Sequence, residues 1–244
     1  MNLLISFYVD GAASERFQSH LNRVPDFLWE SNKGMMMSGT NGSQLWDTCF
    51  ILQAVVESGL AEEDEFREST MKGLAFVDAC QIKQDPVDHE KYYRYLSKGA
   101  WPFSTRDQSY TVSDCTAEGL KTALYLQNKV RYLIFLINFP LHILTGSNEN
   151  FSYAPTLIDD SRLYDSVNVL LHMQNDDGGF GSYEPRRGPL WMEHMNPSEV
   201  FANIMIEYSY TECSTAVVLG LLAFQKWHPD FRKYEIKYVS FILL

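Results

Sequence analysis

The chain has 244 residues, of which 45% are hydrophobic and 14% aromatic, so it holds enough apolar material for a large globular core and is not a disordered protein. Lysine and arginine number 20 against 31 aspartates and glutamates, which gives a net charge of -11. The basic residues are scattered and form no stripe that could follow a phosphate backbone, so nucleic acid is not an expected partner.

Two apolar stretches could be mistaken for membrane or targeting segments. Residues 1–11 lack a basic region and a cleavage site of small residues, so we expect an irregular start rather than a signal peptide. The stretch 130–144 is interrupted by Pro140 and is shorter than the roughly 20 residues that a membrane-spanning helix needs. We therefore expect no transmembrane helix at either place.

Helical spacing of apolar residues dominates the pattern along the chain, and no alternating strand pattern of useful length competes with it. The clearest helical segments are 45–56, 117–124, 163–173 and 217–227. Short turn-rich segments separate them, at 39–42, 98–102 and 176–181. The pattern predicts an all-α chain of about eight helices.

A weak repeat runs through these helices. In each copy a helix ends in glutamine or an aromatic residue, and an acidic turn with glycine and another aromatic residue follow. The clearest copy is LYDSVNVLLHMQNDDGGF at 163–180, and looser copies are at 72–81 and 98–103. Repeated helix pairs bury their apolar faces against their neighbours, so the repeat predicts an α/α barrel or toroid.

The four cysteines, at 49, 80, 115 and 213, are far apart and have no metal-ligand spacing. We predict that they lie in helices or at helix starts. Neither these cysteines nor the histidines predict a metal site, and the wide spacing of the cysteines favours a reducing, intracellular compartment.

The run VSDCTAEGL at 112–120 contains Asp-Cys-Thr-Ala-Glu, and on this run the chain resembles the oxidosqualene cyclases. Further blocks occur in that family's order: GTNGSQLWDT at 39–48, KGAWPFSTRD at 98–107, MQNDDGGFGSYE at 173–184, NPSEVF at 196–201 and YTECST at 210–215. The repeat copy that ends at Phe180 is similar to one of the family's QW repeats, with phenylalanine in place of tryptophan. The resemblance covers most of the chain.

The chain also departs from the family pattern. Residues 129–150 fit nothing in it, and we interpret them as an atypical insert, from a retained intron or an assembly error. The chain begins inside the family's usual length and stops where the family continues, so the resemblance implies the middle part of a larger cyclase, with an incomplete α/α barrel as a single partial domain over 1–244. Ser109 stands where glycine is usual, and Ala-Asn at 202–203 stands where the family prefers Gly-Asp.

The resemblance implies Asp114 as a proton donor. Opening an epoxide without a metal needs a strong Brønsted acid, and a protonated carboxylic acid is the strongest neutral donor that a protein offers. Burial keeps such a carboxyl protonated, and hydrogen-bond donors stabilise the carboxylate that remains after transfer. The resemblance gives that donor role to the thiols of Cys115 and Cys213, and it implies no metal or organic cofactor.

The carbocations that follow epoxide opening need stabilisation by groups that do not trap them. A cation over an aromatic face is stabilised by roughly 0.5 to 2 kcal/mol, and the ring does not trap it as a nucleophile would. The resemblance implies four such residues around a dry cavity: Trp46, Phe103, Tyr183 and Phe201. Val112 precedes Asp114 by two positions, where lanosterol-forming members have valine and cycloartenol-forming members have isoleucine, so it favours lanosterol.

Plainer interpretations exist for each of these residues. Asp114 alone would be a helix N-cap, free cysteines are usually small buried hydrophobes, and isolated aromatic residues usually belong to the core. The turn at 176–177 is expected to be structural, and Glu118 is expected to bond groups around its helix start.

The resemblance implies an isomerase that protonates (3S)-2,3-oxidosqualene and cyclises it to lanosterol in sterol biosynthesis. Because this substrate is a C30 lipid, the intact enzyme is expected on the endoplasmic reticulum membrane, as a monotopic protein, or on lipid droplets. The alternatives are a truncated, inactive product, a cyclase that makes cycloartenol or another triterpene, and a carbohydrate-active α/α barrel. For the last, no second carboxylate stands in an equally persuasive block.

Overall fold

The computed structural model describes residues 2–37, 42–127, 157–196 and 205–243. The chain divides into two compact units, Met1–Gly42 and Ser43–Leu244. Within the described ranges the structure is mostly helical, with eight α-helices, so the all-α prediction is confirmed. The incomplete α/α barrel, its repeats and the single domain over 1–244 stay predictions.

The first unit contains two short helices and a hairpin. Helix α1 spans Asn2–Asp10 and α2 spans Glu15–Leu21, and a 3-10 turn leads into strands β1, Leu28–Ser31, and β2, Gly34–Met37, which pair antiparallel. The prediction of an irregular start was wrong, because the Phe7 ring packs 5.3 Å from that of Phe17 and so joins α1 to α2. The hairpin was missed because its strands are only four residues long and show no alternation of burial.

The second unit is built around one buried helix. Its helices are α3 at Gln44–Glu57, α4 at Asp64–Cys80, α5 at Ser113–Gln127, α6 at Asp160–His172, α7 at Thr211–Trp227 and α8 at Lys233–Leu243. Helix α5 packs against α3, α4, α6 and α7. It can be covered on all sides because small and apolar residues occupy most of its circumference. The residue block with the Asp-Cys-Thr-Ala-Glu run is therefore the centre of this unit.

Small residues bring α5 and α7 close together. A Cβ atom at Gly220 of α7 would lie 3.0 Å from the carbonyl oxygen of Ala117 on α5, so only glycine fits at this distance without displacement. The first turns of the two helices carry Asp114 and Cys213. Their packing thus fixes the separation of these two side chains.

Three glutamines that follow helices bond main-chain groups further along the chain. Gln81 donates from Nε2 to the carbonyl of Gly99 at 3.0 Å, and Gln174 donates to that of Gly178 at 2.8 Å. Gln127 at the end of α5 accepts the N–H of Ile158 and donates to its carbonyl, both at 3.0 Å. Each glutamine ties the end of one helix to the segment that follows it.

Some predictions fall outside the described residues. These include the insert at 129–150, the apolar stretch at 130–144, Phe201 and the pair 202–203. Among the helices of the described ranges, none combines the length and the apolar character needed to cross a bilayer.

Candidate active site

Asp114 and Cys213 lie side by side at the starts of two packed helices. The Sγ of Cys213 donates to Oδ2 of Asp114 at 3.7 Å, and the backbone N–H of Cys115 donates to Oδ1 at 2.8 Å. Helix α5 begins at Ser113, so Asp114 belongs to its first turn, and the N-cap interpretation was wrong. The structure brings together the carboxyl and both thiols that the sequence predicted.

The surroundings of Asp114 act on its acidity in two opposite directions. Burial raises the pKa of this carboxyl above its ordinary value of 3.8, because a charge is poorly solvated there. Hydrogen bonds from the backbone and side chain of Cys115 and from the thiol of Cys213 act against this shift by stabilising the carboxylate. Asp114 can therefore hold a proton, and the anion left after its release has donors in place.

The two thiols are suited to donate hydrogen bonds and poorly suited to act as bases. Burial, followed by the nearby charge of Asp114, raises the pKa of Cys213 to about 12. The same two causes raise the pKa of Cys115. Both groups thus keep their protons near neutral pH. All four cysteines are free and buried, and each lies in a helix or in its first turn, as predicted.

Two serines that the sequence did not indicate lie next to these groups: Ser182 in the loop after Phe180, and Ser113 at the start of α5. The Oγ of Ser182 lies 3.5 Å from the Sγ of Cys213. Ser113 joins the same loop to α5, because its N–H donates to the carbonyl of Ser182 at 2.7 Å and its hydroxyl to that of Gly181 at 2.6 Å. Both serines stand inside family blocks, which is a usable signal, but their pairing joins residues 69 positions apart and is invisible locally.

Glu207 is a further residue that sequence reasoning missed. Its Oε2 accepts the backbone N–H of Ser182 at 2.8 Å, and the N–H of Tyr183 also bonds this carboxyl. Burial raises the pKa of Glu207, and these two bonds oppose that shift. The residue belongs to no recognised block, so no pattern in the sequence indicated it.

Three of the aromatic candidates lie among the described residues, and each packs against another ring. The rings of Trp46 and Phe103 lie 6.1 Å apart, and the backbone N–H of Trp46 donates to the carbonyl of Phe103 at 3.4 Å. The ring of Tyr183 meets that of Tyr110 edge to face at 5.4 Å. Burial first, and then the nearby carboxylate of Glu207, raise the pKa of the Tyr183 phenol.

Val112 immediately precedes α5 and belongs to the hydrophobic core. Its side chain is 4% exposed, and its N–H donates to the carbonyl of Trp101 at 3.2 Å. An added methylene at this position would therefore have to be accommodated within the packed core.

Two acidic groups have the structural roles expected of them. Glu118 accepts a hydrogen bond from Nε2 of Gln53 at 2.7 Å and pairs with Lys121 at 2.9 Å. In the turn at 176–177, Asp177 accepts the N–H of Gly179 at 3.0 Å and the hydroxyl of Ser209 at 2.7 Å.

Comparison with known proteins places the chain in a family. No family model matches it. It is 51% identical over 236 residues to lanosterol synthase of Pneumocystis carinii and 44% identical over 237 residues to lanosterol synthase of Homo sapiens, alignments that cover 97% of this chain and 30% of each relative. It is also 46% identical over 217 residues to cycloartenol synthase of Dictyostelium discoideum, covering 89% of this chain and 27% of that relative. The chain spans about 30% of the length of the relatives it matches, and with this identity along nearly all of its residues it belongs to the oxidosqualene cyclase family.

Proposed function

We propose that this chain supplies the proton donor of an oxidosqualene cyclase, with Asp114 as the acid that acts on (3S)-2,3-oxidosqualene. The proton of the carboxyl goes to the epoxide oxygen, the carbon–oxygen bond breaks, and the positive charge left on carbon is attacked by the neighbouring double bond. The observation that carries this proposal is the carboxyl of Asp114 beside the thiol of Cys213, 3.7 Å away. The family to which the chain belongs supports the reaction class.

The thiols act on the product of proton transfer rather than on the substrate. As negative charge develops on Asp114, a hydrogen bond to the carboxylate becomes stronger than one to the neutral acid. Cys115 and Cys213 keep their protons because burial and the charge of Asp114 raise their pKa values. They lower the free energy of the carboxylate and so make Asp114 a stronger acid when it reacts.

The aromatic pairs are proposed as parts of the cavity wall. Trp46 and Phe103, packed against each other, and Tyr183, near Asp114, present ring faces that stabilise a cation by roughly 0.5 to 2 kcal/mol each without adding to it. Phe201 is proposed for the same role from its family block. A dry site is needed because water would trap the cations.

Lanosterol is the product that we propose. The relatives include lanosterol synthases and a cycloartenol synthase, so membership in the family leaves the product to individual residues. Val112 supports lanosterol, since valine is usual there in lanosterol-forming members. We also propose that these 244 residues alone do not turn over the substrate, because they span about 30% of the length of the relatives.

A chimera tests the proposed reaction. The 236 matching residues of the Pneumocystis carinii lanosterol synthase are replaced with this chain, and the chimera is expressed in yeast that lacks its own cyclase. We expect growth without added sterol and accumulation of lanosterol in extracts. Asp114→Asn should abolish both, whereas Asp64→Asn, the same exchange at an exposed position of α4, should preserve them. Growth of the Asp114→Asn strain would disprove the assignment of the acid.

For the intact enzyme we propose association with the endoplasmic reticulum membrane or with lipid droplets, because the substrate partitions into lipid. A fluorescent fusion of the active chimera should coincide with a marker of one of these compartments and sediment with membranes. A uniformly soluble distribution would contradict this proposal.

A further inference from the structure

Glu207 holds the loop that follows Phe180. Its Oε2 accepts the N–H of Ser182 at 2.8 Å, and the N–H of Tyr183 bonds the same carboxyl. The Ser182 bond joins this loop to a side chain 25 residues away in sequence. A charge-assisted bond of this kind restricts the orientation of the peptide group at Ser182, and with it the positions of the neighbouring side chains.

The loop held in this way touches the acid's thiol partner. The Oγ of Ser182 lies 3.5 Å from the Sγ of Cys213, and that Sγ lies 3.7 Å from Oδ2 of Asp114. The carbonyl of Ser182 accepts the N–H of Ser113, the residue before Asp114, at 2.7 Å. One short chain of contacts therefore runs from Glu207 through Ser182 and Cys213 to Asp114.

The conformation of Glu207 is costly and is maintained by its surroundings. Its φ is 66°, in the left-handed region of backbone conformation that residues other than glycine rarely adopt. The preceding segment is fixed by Glu193, whose Oε1 accepts the N–H groups of Met205 and Ile206 at 3.0 and 3.1 Å. A Cβ atom at Gly181 would lie 2.7 Å from Oε2 of Glu207, so glycine there leaves the space that the carboxyl occupies.

We propose that Glu207 is a positioning residue for the acid: its carboxyl orients Ser182 and Tyr183, and thereby sets the contact of Cys213 with Asp114 and the position of one aromatic wall residue. This inference rests on the proposed function of Asp114. Glu207 itself is separated from Asp114 by Ser182 and Cys213, so it acts through other residues and does not touch the reacting atoms.

The first test examines the contact in the 244-residue chain itself. The S–H stretching band of Cys213, assigned by its loss in Cys213→Ala, reports the strength of the thiol's hydrogen bond. We expect Glu207→Ala to move this band to higher wavenumber. Glu207→Gln should move it less, because an amide oxygen still accepts one N–H. Glu212→Gln removes an equal charge at an exposed position next to Cys213 and should leave the band in place. A band unchanged in Glu207→Ala overturns the inference.

The second test measures turnover in the chimera. Glu207→Ala and Gly181→Ala should each lower kcat roughly tenfold with KM within about twofold, as is typical when a residue supporting a functional group is lost, and Glu207→Gln should recover part of this loss. Melting curves monitored by circular dichroism select the temperature at which all variants are folded. Parental kcat in folded Glu207→Ala overturns the inference. A parent chimera that makes no product refutes the proposed function instead, and the S–H band alone then decides whether Glu207 sets the thiol contact.

Discussion

The Sγ of Cys213 lies 3.7 Å from Oδ2 of Asp114, although 99 positions separate the two residues in the sequence. Both side chains project from first helical turns, and the helices that carry them approach closely where Gly220 meets the carbonyl of Ala117. The acid and its donor are therefore positioned by helix packing in the hydrophobic core. Changes in this core should be felt at the site.

Removal of the thiol at position 213 should make Asp114 harder to ionise. In Cys213→Ala the carboxylate loses a donor that now lowers its pKa, so the pKa of Asp114 should rise further above its ordinary value. The measurement is a pH titration of the carboxyl C=O band of Asp114, assigned with Asp114→Asn. Cys80→Ala removes a buried free thiol from α4 and serves as the control. An unaltered titration in Cys213→Ala would contradict the role of this thiol.

The stability of the chain should depend on pH through Asp114 in a defined direction. The pKa of Asp114 is raised in the folded state, so its contribution is fully present below the ordinary value of 3.8 and is lost as pH rises through the folded pKa. Urea unfolding at a series of pH values should therefore show Asp114→Asn gaining stability relative to the parent as pH rises from about 4.

Asp159 provides a control of opposite sign for this measurement. Bonds from Ser161 and from the N–H of Arg162 lower the pKa of Asp159, so its contribution is present above 3.8 and is lost as pH falls through the folded pKa. Asp159→Asn should accordingly lose stability relative to the parent as pH rises. Parallel pH profiles for the two variants would contradict at least one of the two assignments, and the direction of the shared change would show which.

Sequence reasoning singled out Asp114 as the proposed acid but did not find the residues around it that support its position. Asp114, Cys115 and Cys213 were grouped because they match functional positions in two family blocks. The resemblance carries this grouping even though the blocks are far apart in the sequence. Glu207 was missed because it acts through backbone N–H groups of a distant loop from a left-handed conformation, and neither property has a local signature. Helix α1 was missed because its helical state depends on packing between Phe7 and Phe17.

Glycine at position 119 should be required by the ring of Trp101. An added Cβ would lie 2.6 Å from Cδ2 of this ring, which is fully buried and held by the bond of its Nε1 to the carbonyl of Val77 at 2.8 Å. Gly119→Ala should therefore lower the free energy of unfolding by about 1 to 3 kcal/mol, as overpacking does. Urea unfolding checks this value.

The matched control is Gly73→Ala, a glycine-to-alanine exchange within α4. Its new Cβ would meet only the flexible end of the Leu52 side chain, and alanine favours a helix over glycine by about 1 kcal/mol. This variant should be neutral or stabilised. Equal destabilisation of both variants would show that the Trp101 ring is not the cause.

Serine at position 109 should be replaceable by glycine with a gain in stability. Its φ is 49°, and the left-handed conformation costs a side-chain-bearing residue roughly 1 to 2 kcal/mol, of which part is offset by the greater freedom of glycine in the unfolded chain. Ser109→Gly also loses the bond of the hydroxyl to the carbonyl of Arg106, but this bond is exposed and offsets only part of the relieved strain, so the variant should raise the melting temperature. Ser109→Ala keeps the strained conformation and loses the hydroxyl bond to the carbonyl of Arg106, so it should melt below the parent. The reverse order of the two variants would be incompatible with backbone strain.

Isoleucine at position 112 should alter the product of the active chimera. Val112 is 4% exposed and lies two positions before Asp114, so the extra methylene must displace neighbouring groups near the acid. We expect cycloartenol to appear beside lanosterol in mass-spectrometric profiles of Val112→Ile extracts. Val56→Ile adds the same group to the fully buried end of α3 and should leave the product unchanged. Identical profiles for parent and Val112→Ile would remove the support that this residue gives to lanosterol.

The hydrogen bonds of Gln127 determine how the chain between α5 and α6 tolerates changes in length. Its side chain bonds the main chain of Leu157 and Ile158, so the last residue of α5 and the segment leading into α6 are joined directly, whatever number of residues separates them. Doubling the length of a closed stretch costs only about 0.6 kcal/mol. Altered splicing or insertions between these two points can therefore accumulate during evolution while both helices keep their places.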